Sequence, residues 1–249
     1  TLILGLSVLK AIWRHRAPGH ALFMAENAVN PLGVKSEAEI ETVVERFLDF
    51  DGQHSETLVM ACNTLSIRYH QLFGSTSAPE GIRQVVTMLD CLKAMAKAEA
   101  KRLACARVLV IGTAFTASQA LYPDTLQTAL PGTQVATVAA TELERSIVRF
   151  QPIDSTGTSV LTRELRQAIE RTDVAILACT CFPMVKDVLR EQFPGVVFLD
   201  PGAYCTGLLQ EAVETQDRCL KVNVKGDVVK RARVVDFARA YLGAGANVS

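Results

Sequence analysis

Six short apolar runs recur along the chain, each ending in a turn and leading into a longer segment with helical periodicity. They are HALFMAE (20–26), TLVMA (57–61), RVLVIG (107–112), QVATVA (134–139), DVAILA (173–178) and VVFLD (196–200). Apolar on both faces, these runs suit strands of a buried parallel sheet, and their alternation with helices predicts an α/β protein with parallel sheets. The clearest helix opens at Ser36, where SEAE has the Ser-x-x-Glu form of a capping box and Ile40, Val43, Val44, Phe47 and Leu48 fall on one face. A long helix is predicted over about 82–103, with Val85, Val86, Leu89, Leu92 and Met95 as its inner stripe. Others are expected near 117–130, 141–150, 159–171, 184–192, 204–216 and 227–242.

Two of the runs echo each other. LVMACNTLS (58–66) and AILACTCFP (175–183) both reach Ala-Cys and then turn polar, with Cys62 and Cys179 separated by 117 positions. The echo predicts two similar halves: residues 1–82 carrying Cys62, joined by a returning tail at 205–249, and residues 83–204 carrying Cys179. FGSTSAPEG (73–81), rich in Gly, Ser and Pro, is the candidate linker.

In an open α/β sheet, ligands bind outside the carboxyl ends of the strands, where both cysteines fall. A helix N-terminus there offers unpaired N–H groups and partial positive charge, from which a lowered thiol pKa is expected. At the second cysteine Thr180 is suited to cap, Pro183 to the first turn, and Val185, Val188 and Leu189 to the inner stripe. A single cysteine after a strand is ordinarily a small core hydrophobe; the matched pair favours chemistry. Cys91, Cys105 and Cys219 take the structural reading, and Cys205 is left open between the two.

Charge excludes some functions. Lys plus Arg and Asp plus Glu stand at 26 each, so there is no overall positive field to gather nucleic acid or an anionic membrane. No apolar run approaches the roughly 20 residues of a membrane helix, and the opening TLILGLSVLKAIWRHR lacks the layout of a secretory signal. Seven cysteines in a chain of 249 residues read as reduced thiols in a cytoplasmic setting rather than as a disulfide framework. The C-x-C of Cys179 and Cys181 lacks further ligands at recognised spacing, so no metal is expected.

Taken in order, these motifs resemble a known family. ACNTLS (61–66) is similar to the first cysteine motif of the cofactor-independent glutamate and aspartate racemases, and ACTCFP (178–183) to their second, Gly-Cys-Thr-His-Tyr-Pro. GLSVLKAI (5–12) resembles the family's opening helix, NPLGVKSEAEI (30–40) its Pro-Tyr-Gly loop and following helix, GTAFTAS (112–118) its Gly-Thr-x-x-Thr-x-x-Ser turn, and LDPGA (199–203) the last strand of its second half. The resemblance is closest to the glutamate racemase branch. It implies two pseudo-symmetric flavodoxin-like or Rossmann-like domains with the site between them, and an amino-acid racemase or epimerase that needs no pyridoxal cofactor. Cys62 and Cys179 would act as acid and base on opposite faces of the substrate Cα. Asn63, Thr64, Thr180 and the PLG loop (Leu32 and Gly33) map onto substrate-binding groups, with Thr113, Thr116 and Cys181 as further contacts. Family members are often dimers, so a homodimer is one expectation.

Three departures mark the chain off. Aligned back from GLSVLK, the family's opening Asp would fall before Thr1. Cys181 stands where the family has a histidine, and Leu32 where it has a tyrosine. An imidazole titrates near 6.5 and a thiol near 8.5, so Cys181 is a poor replacement at neutral pH. Together the departures point to a substrate other than plain glutamate. Two alternatives stand beside the racemase reading: a relative that isomerises or decarboxylates a small dicarboxylate with one cysteine, and a binding or regulatory protein that has lost catalysis.

Overall fold

A computed structural model of the chain describes residues 3–15, 20–26, 32–51, 57–74, 80–149, 160–209, 219–225 and 247–248. Ten α-helices and nine strands alternate among them. The strands are β1 (His20–Glu26), β2 (Thr57–Met60), β3 (Gln84–Thr87), β4 (Arg107–Gly112), β5 (Gln134–Ala139), β6 (Val174–Ala178), β7 (Val197–Leu199), β8 (Cys219–Lys225) and β9 (Asn247–Val248). The helices are α1 (Ile3–His15), α2 (Glu37–Asp51), α3 (Asn63–Phe73), α4 (Met88–Ala98), α5 (Ala100–Leu103), α6 (Ala114–Ser118), α7 (Leu121–Ala129), α8 (Thr141–Val148), α9 (Arg163–Glu170) and α10 (Lys186–Gln192). Every strand pair described is parallel, as the apolar runs predict.

Three sheets form, in the orders β1-β8-β9, β2-β3 and β5-β4-β6-β7. In the largest, the chain leaves β4 for β5 on one side and returns to β6 on the other. A strand order that reverses in this way opens a crevice at the carboxyl ends of the two strands flanking the reversal. Gly112 of β4 and Ala178 of β6 are register partners at that end, so the crevice lies beside Thr113 and Cys179.

Packing follows the sheets. Ile40, Val43, Val44 and Leu48 on α2, Leu65 and Ile67 on α3, Leu92 and Met95 on α4 and Val110 on β4 share one buried core. A second lies on the other face of the large sheet, with Leu109, Ile111, Leu177, Cys179, Phe182 and Phe198. Val8 and Ile12 of α1 pack with Val86, Met88, Cys91 and Cys205. Close approach there depends on Gly202, where a Cβ would stand 2.8 Å from the Val8 side chain.

Several expectations are corrected. Residues 82–103 do not form one helix. Val85, Val86 and Thr87 belong to β3, paired with β2, and Thr87 then exchanges capping-box bonds with Asp90 to start α4. A pair of β-branched valines before a Thr-x-x-Asp box favours a strand followed by a cap. The segment expected at 117–130 is two helices broken at Gln119 and Ala120, and the helix at 159–171 starts only at Arg163, capped by Thr162. The 184–192 helix is preceded by a 3-10 turn at Phe182–Val185. The start of the 204–216 segment is likewise a 3-10 turn, Pro201–Gly207; its end, the 227–242 segment and most of the linker lie outside the described residues. β5 is not buried on both faces: it is an edge strand of its sheet, and most of its residues are exposed.

Candidate active site

The first cysteine turn follows directly from the end of β2. Cys62 has extended backbone (φ −149°, ψ 125°) and stands as the residue before α3, whose first turn closes with Ser66 N donating to Cys62 O at 2.9 Å. Ser66 anchors the turn from below. Its hydroxyl donates to Met60 O at 3.1 Å and accepts from Met88 N at 3.0 Å, joining β2, α3 and α4 through one buried oxygen.

The second turn follows β6. Phe182 N donates to Cys179 O at 3.0 Å, and Pro183 sits in the first turn of the 3-10 segment, as its fixed φ and missing N–H allow. Thr180 does not cap this segment; Cys181 precedes it, with no side-chain cap bond. The Thr180 hydroxyl instead donates to Ala61 O at 3.2 Å, and its carbonyl accepts from Ser7 Oγ at 2.9 Å. Residues immediately beside the two cysteines are therefore in direct contact.

Most of the sequence-predicted residues gather here. Asn63 and Thr64 begin α3, both buried, and the Tyr122 hydroxyl donates to Asn63 Oδ1. Thr64 Oγ1 lies 3.5 Å from Thr113 Oγ1, which donates to Thr116 Oγ1 at 3.1 Å and accepts from Thr116 N at 3.2 Å. Leu32 and Gly33 are buried in a 3-10 turn, and Gly33 is packed so closely on Thr113 that a Cβ would stand 2.5 Å from the threonine Cβ. Cys181 lies beside Cys179, Sγ to Sγ 3.4 Å.

The electrostatics overturn the expectation of lowered thiol pKa values. Burial pushes the Cys62 thiol up to about 11, although the backbone N–H groups of Leu65 and Thr64 favour its thiolate; the negative charge of a Cys179 thiolate would push it further. Cys179 is driven well above the ordinary thiol range by the hydrogen bond with Cys181, then by burial and by the charges of Cys181 and Glu144. Removing a thiolate from water costs more than two N–H groups and a partial helix charge return. Of the structurally read cysteines, Cys91 is buried in contact with Cys205, whereas Cys105 is exposed on a turn with φ 62°. A left-handed turn after α5 turns that residue outward.

Sequence reasoning missed three participants. Glu144 on α8 is only 2% exposed, and burial raises its carboxyl to about 7, near enough to Cys179 to influence it. Its signal was a glutamate directly after Leu143 and one turn before Ile147, on the inward face. Tyr122 and Ser7 carried no signal beyond their place in apolar stretches. Among the described residues no group of three or more His, Cys, Asp or Glu is arranged to hold a metal ion, and no helix is long and apolar enough to cross a membrane.

Comparison with known proteins places this arrangement in context. A glutamate racemase from Trichormus variabilis is 29% identical over 205 residues, covering 80% of this chain and 66% of its own length. The chain thus spans just under two thirds of that relative. A glutamate racemase from Pseudomonas aeruginosa is 31% identical over 224 residues, covering 85% of this chain and 78% of its own. The crystal structure of glutamate racemase from Campylobacter jejuni superposes with a TM-score of 0.77 at 22% identity, covering 98% of this chain and 96% of that one. This likeness establishes the two-domain racemase fold. The model of the family described as Asp/Glu/Hydantoin racemase matches residues 8–208, and the chain belongs to that family.

Proposed function

We propose that this protein is a cofactor-independent amino-acid racemase of the glutamate racemase type, an isomerase in which Cys62 and Cys179 serve as acid and base on opposite faces of the substrate Cα. The observation that carries the reading is the hydrogen bond from Thr180 to Ala61, which joins the turns of the two cysteines at the carboxyl ends of β2 and β6. The division into 1–82 with 205–249 and 83–204 belongs to the same proposal. The parallel pairing of β1 with β8 supports the return of the tail to the first half, while the pairing of β3 with β2 extends that half's sheet beyond 82.

Inversion requires one group to take the Cα proton while another delivers one to the far face. With Cys62 near 11, ionising its thiol at pH 7 costs about 5 kcal/mol. A substrate ammonium entering beside it offsets part of that cost by opposite charge. On the other face, Cys179 stays a thiol at rest and is ready to donate. Glu144, at about 7, can hold or release a proton near neutral pH, and its charge acts on Cys179, which suits it to the role of returning that thiol's proton. Asn63, Thr64 and the Gly33 turn, with Thr113 and Thr116 behind them, supply the polar wall for the substrate carboxylate. Leu32 contributes an apolar wall, which favours an amino acid less polar than glutamate.

The test is incubation with a panel of L-amino acids, glutamate included, in deuterated water. Wild-type protein is expected to place deuterium at Cα of at least one, and Cys62→Ser or Cys179→Ser to lower inversion by about 10²–10⁴-fold. Silence across the panel would overturn the proposal. Cys181, standing where the family has an imidazole, favours a second reading in which the cleft binds an amino acid without turning it over. In that case binding survives both cysteine substitutions and no Cα exchange occurs.

A further inference from the structure

Thr180 maps onto a substrate-binding group of the family, yet its hydroxyl has one proton to donate, and that proton is directed at Ala61 O, 119 positions away in sequence, at 3.2 Å. Its backbone carbonyl is held from a third direction by Ser7 Oγ on α1 at 2.9 Å. Thr180 is 3% exposed. Ala61 precedes Cys62 and Thr180 follows Cys179, so a single hydrogen bond bridges the two cysteine turns, with α1 bracing one of them.

We infer that Thr180 is a positioning residue, a latch that fixes the spacing of the Cys62 and Cys179 turns. The inference rests on the reading that both cysteines serve one substrate. Two reacting groups on opposite sides of one carbon tolerate little error in their separation, and a misplacement of about 1 Å costs on the order of 10²-fold in rate. Neither strand end sets that separation alone, because β2 and β6 lie in different sheets. The Thr180 hydroxyl supplies the constraint between them, and Ser7 keeps Thr180 itself from moving.

The distinguishing variants are Thr180→Val, which keeps the shape and removes the hydroxyl, and Thr180→Ser, which restores it. Amide hydrogen–deuterium exchange followed by mass spectrometry reads the latch without reference to activity. In Thr180→Val the peptides covering 58–66 and 175–183 are both expected to exchange faster while the peptide covering 107–112 is unchanged, and Thr180→Ser returns both toward wild type. On substrate, the valine variant is expected to incorporate deuterium without inversion more often, with the ratio of exchange to inversion rising on the order of tenfold and KM little altered. If 58–66 is unaffected, or if KM rises with the ratio constant, Thr180 is a ligand or a local packing residue and the latch is overturned. Should Thr180→Val fail to fold, Ser7→Ala decides: it frees the Thr180 carbonyl and must loosen the 175–183 peptide and raise the same ratio. A wild-type protein that shows no Cα exchange overturns the racemase reading instead, and the exchange of the two peptides still decides the latch.

Discussion

Glu144 shows how one buried group governs two measurements. Its carboxyl has an ordinary value of 4.5 and is raised to about 7 by burial. Below 4.5 it is protonated in both folded and unfolded chains. Between 4.5 and 7 the unfolded chain releases the proton while the folded one keeps it, so stability falls with rising pH, by about 3 kcal/mol in all, and levels off above 7. Glu144→Gln is expected to remove this fall and to be more stable than wild type at pH 8 by up to about 3 kcal/mol in urea unfolding. The same substitution lowers kcat by about 10²-fold if the carboxyl exchanges protons with Cys179; an unchanged kcat would assign Glu144 to packing alone. Gly33 gives a second test at this scale. A methyl there must displace Thr113, so Gly33→Ala is expected to destabilise the protein by about 1–3 kcal/mol and to raise KM in the exchange assay.

Among the elements, the junction of β2, α3 and α4 turns on Ser66. Replacing it by alanine leaves Met88 N without its partner in a buried setting, and a loss of about 1–3 kcal/mol in thermal or urea unfolding is expected. The strands were largely legible in the sequence, because a buried parallel strand is a continuous apolar run bounded by turns: β4 coincides with RVLVIG and β6 lies within DVAILA. β3 was not, because Val85 and Val86 also continue the helical stripe of Leu89, Leu92 and Met95. Periodicity alone does not separate the two when a short strand runs directly into a helix. The cysteine turns and the threonines around them were legible as motifs. Glu144 and Tyr122 were not, since what draws them in is burial against residues far away in sequence. The direction of the thiol shifts was misjudged for the same reason: a helix N-terminus can be read locally, but loss of solvent depends on the whole surrounding core.

Across the whole molecule, burial sorts the six cysteines whose side chains are described. Cys91, Cys179, Cys181 and Cys205 are buried and Cys62 is half-buried, whereas Cys105 is exposed. Limiting N-ethylmaleimide at neutral pH is therefore expected to modify Cys105 before any of these five, as read by peptide mass spectrometry; early labelling of Cys179 would mean that the cleft opens widely. The arrangement of strands has a further consequence for how the protein is made. The four-stranded sheet draws only on residues 107–199, so it can assemble once that stretch has left the ribosome. β1, at 20–26, takes its partner from 219–225. A chain growing from its N-terminus must therefore hold β1 without this partner until 219–225 has emerged, and this long wait is where a chaperone would be needed most.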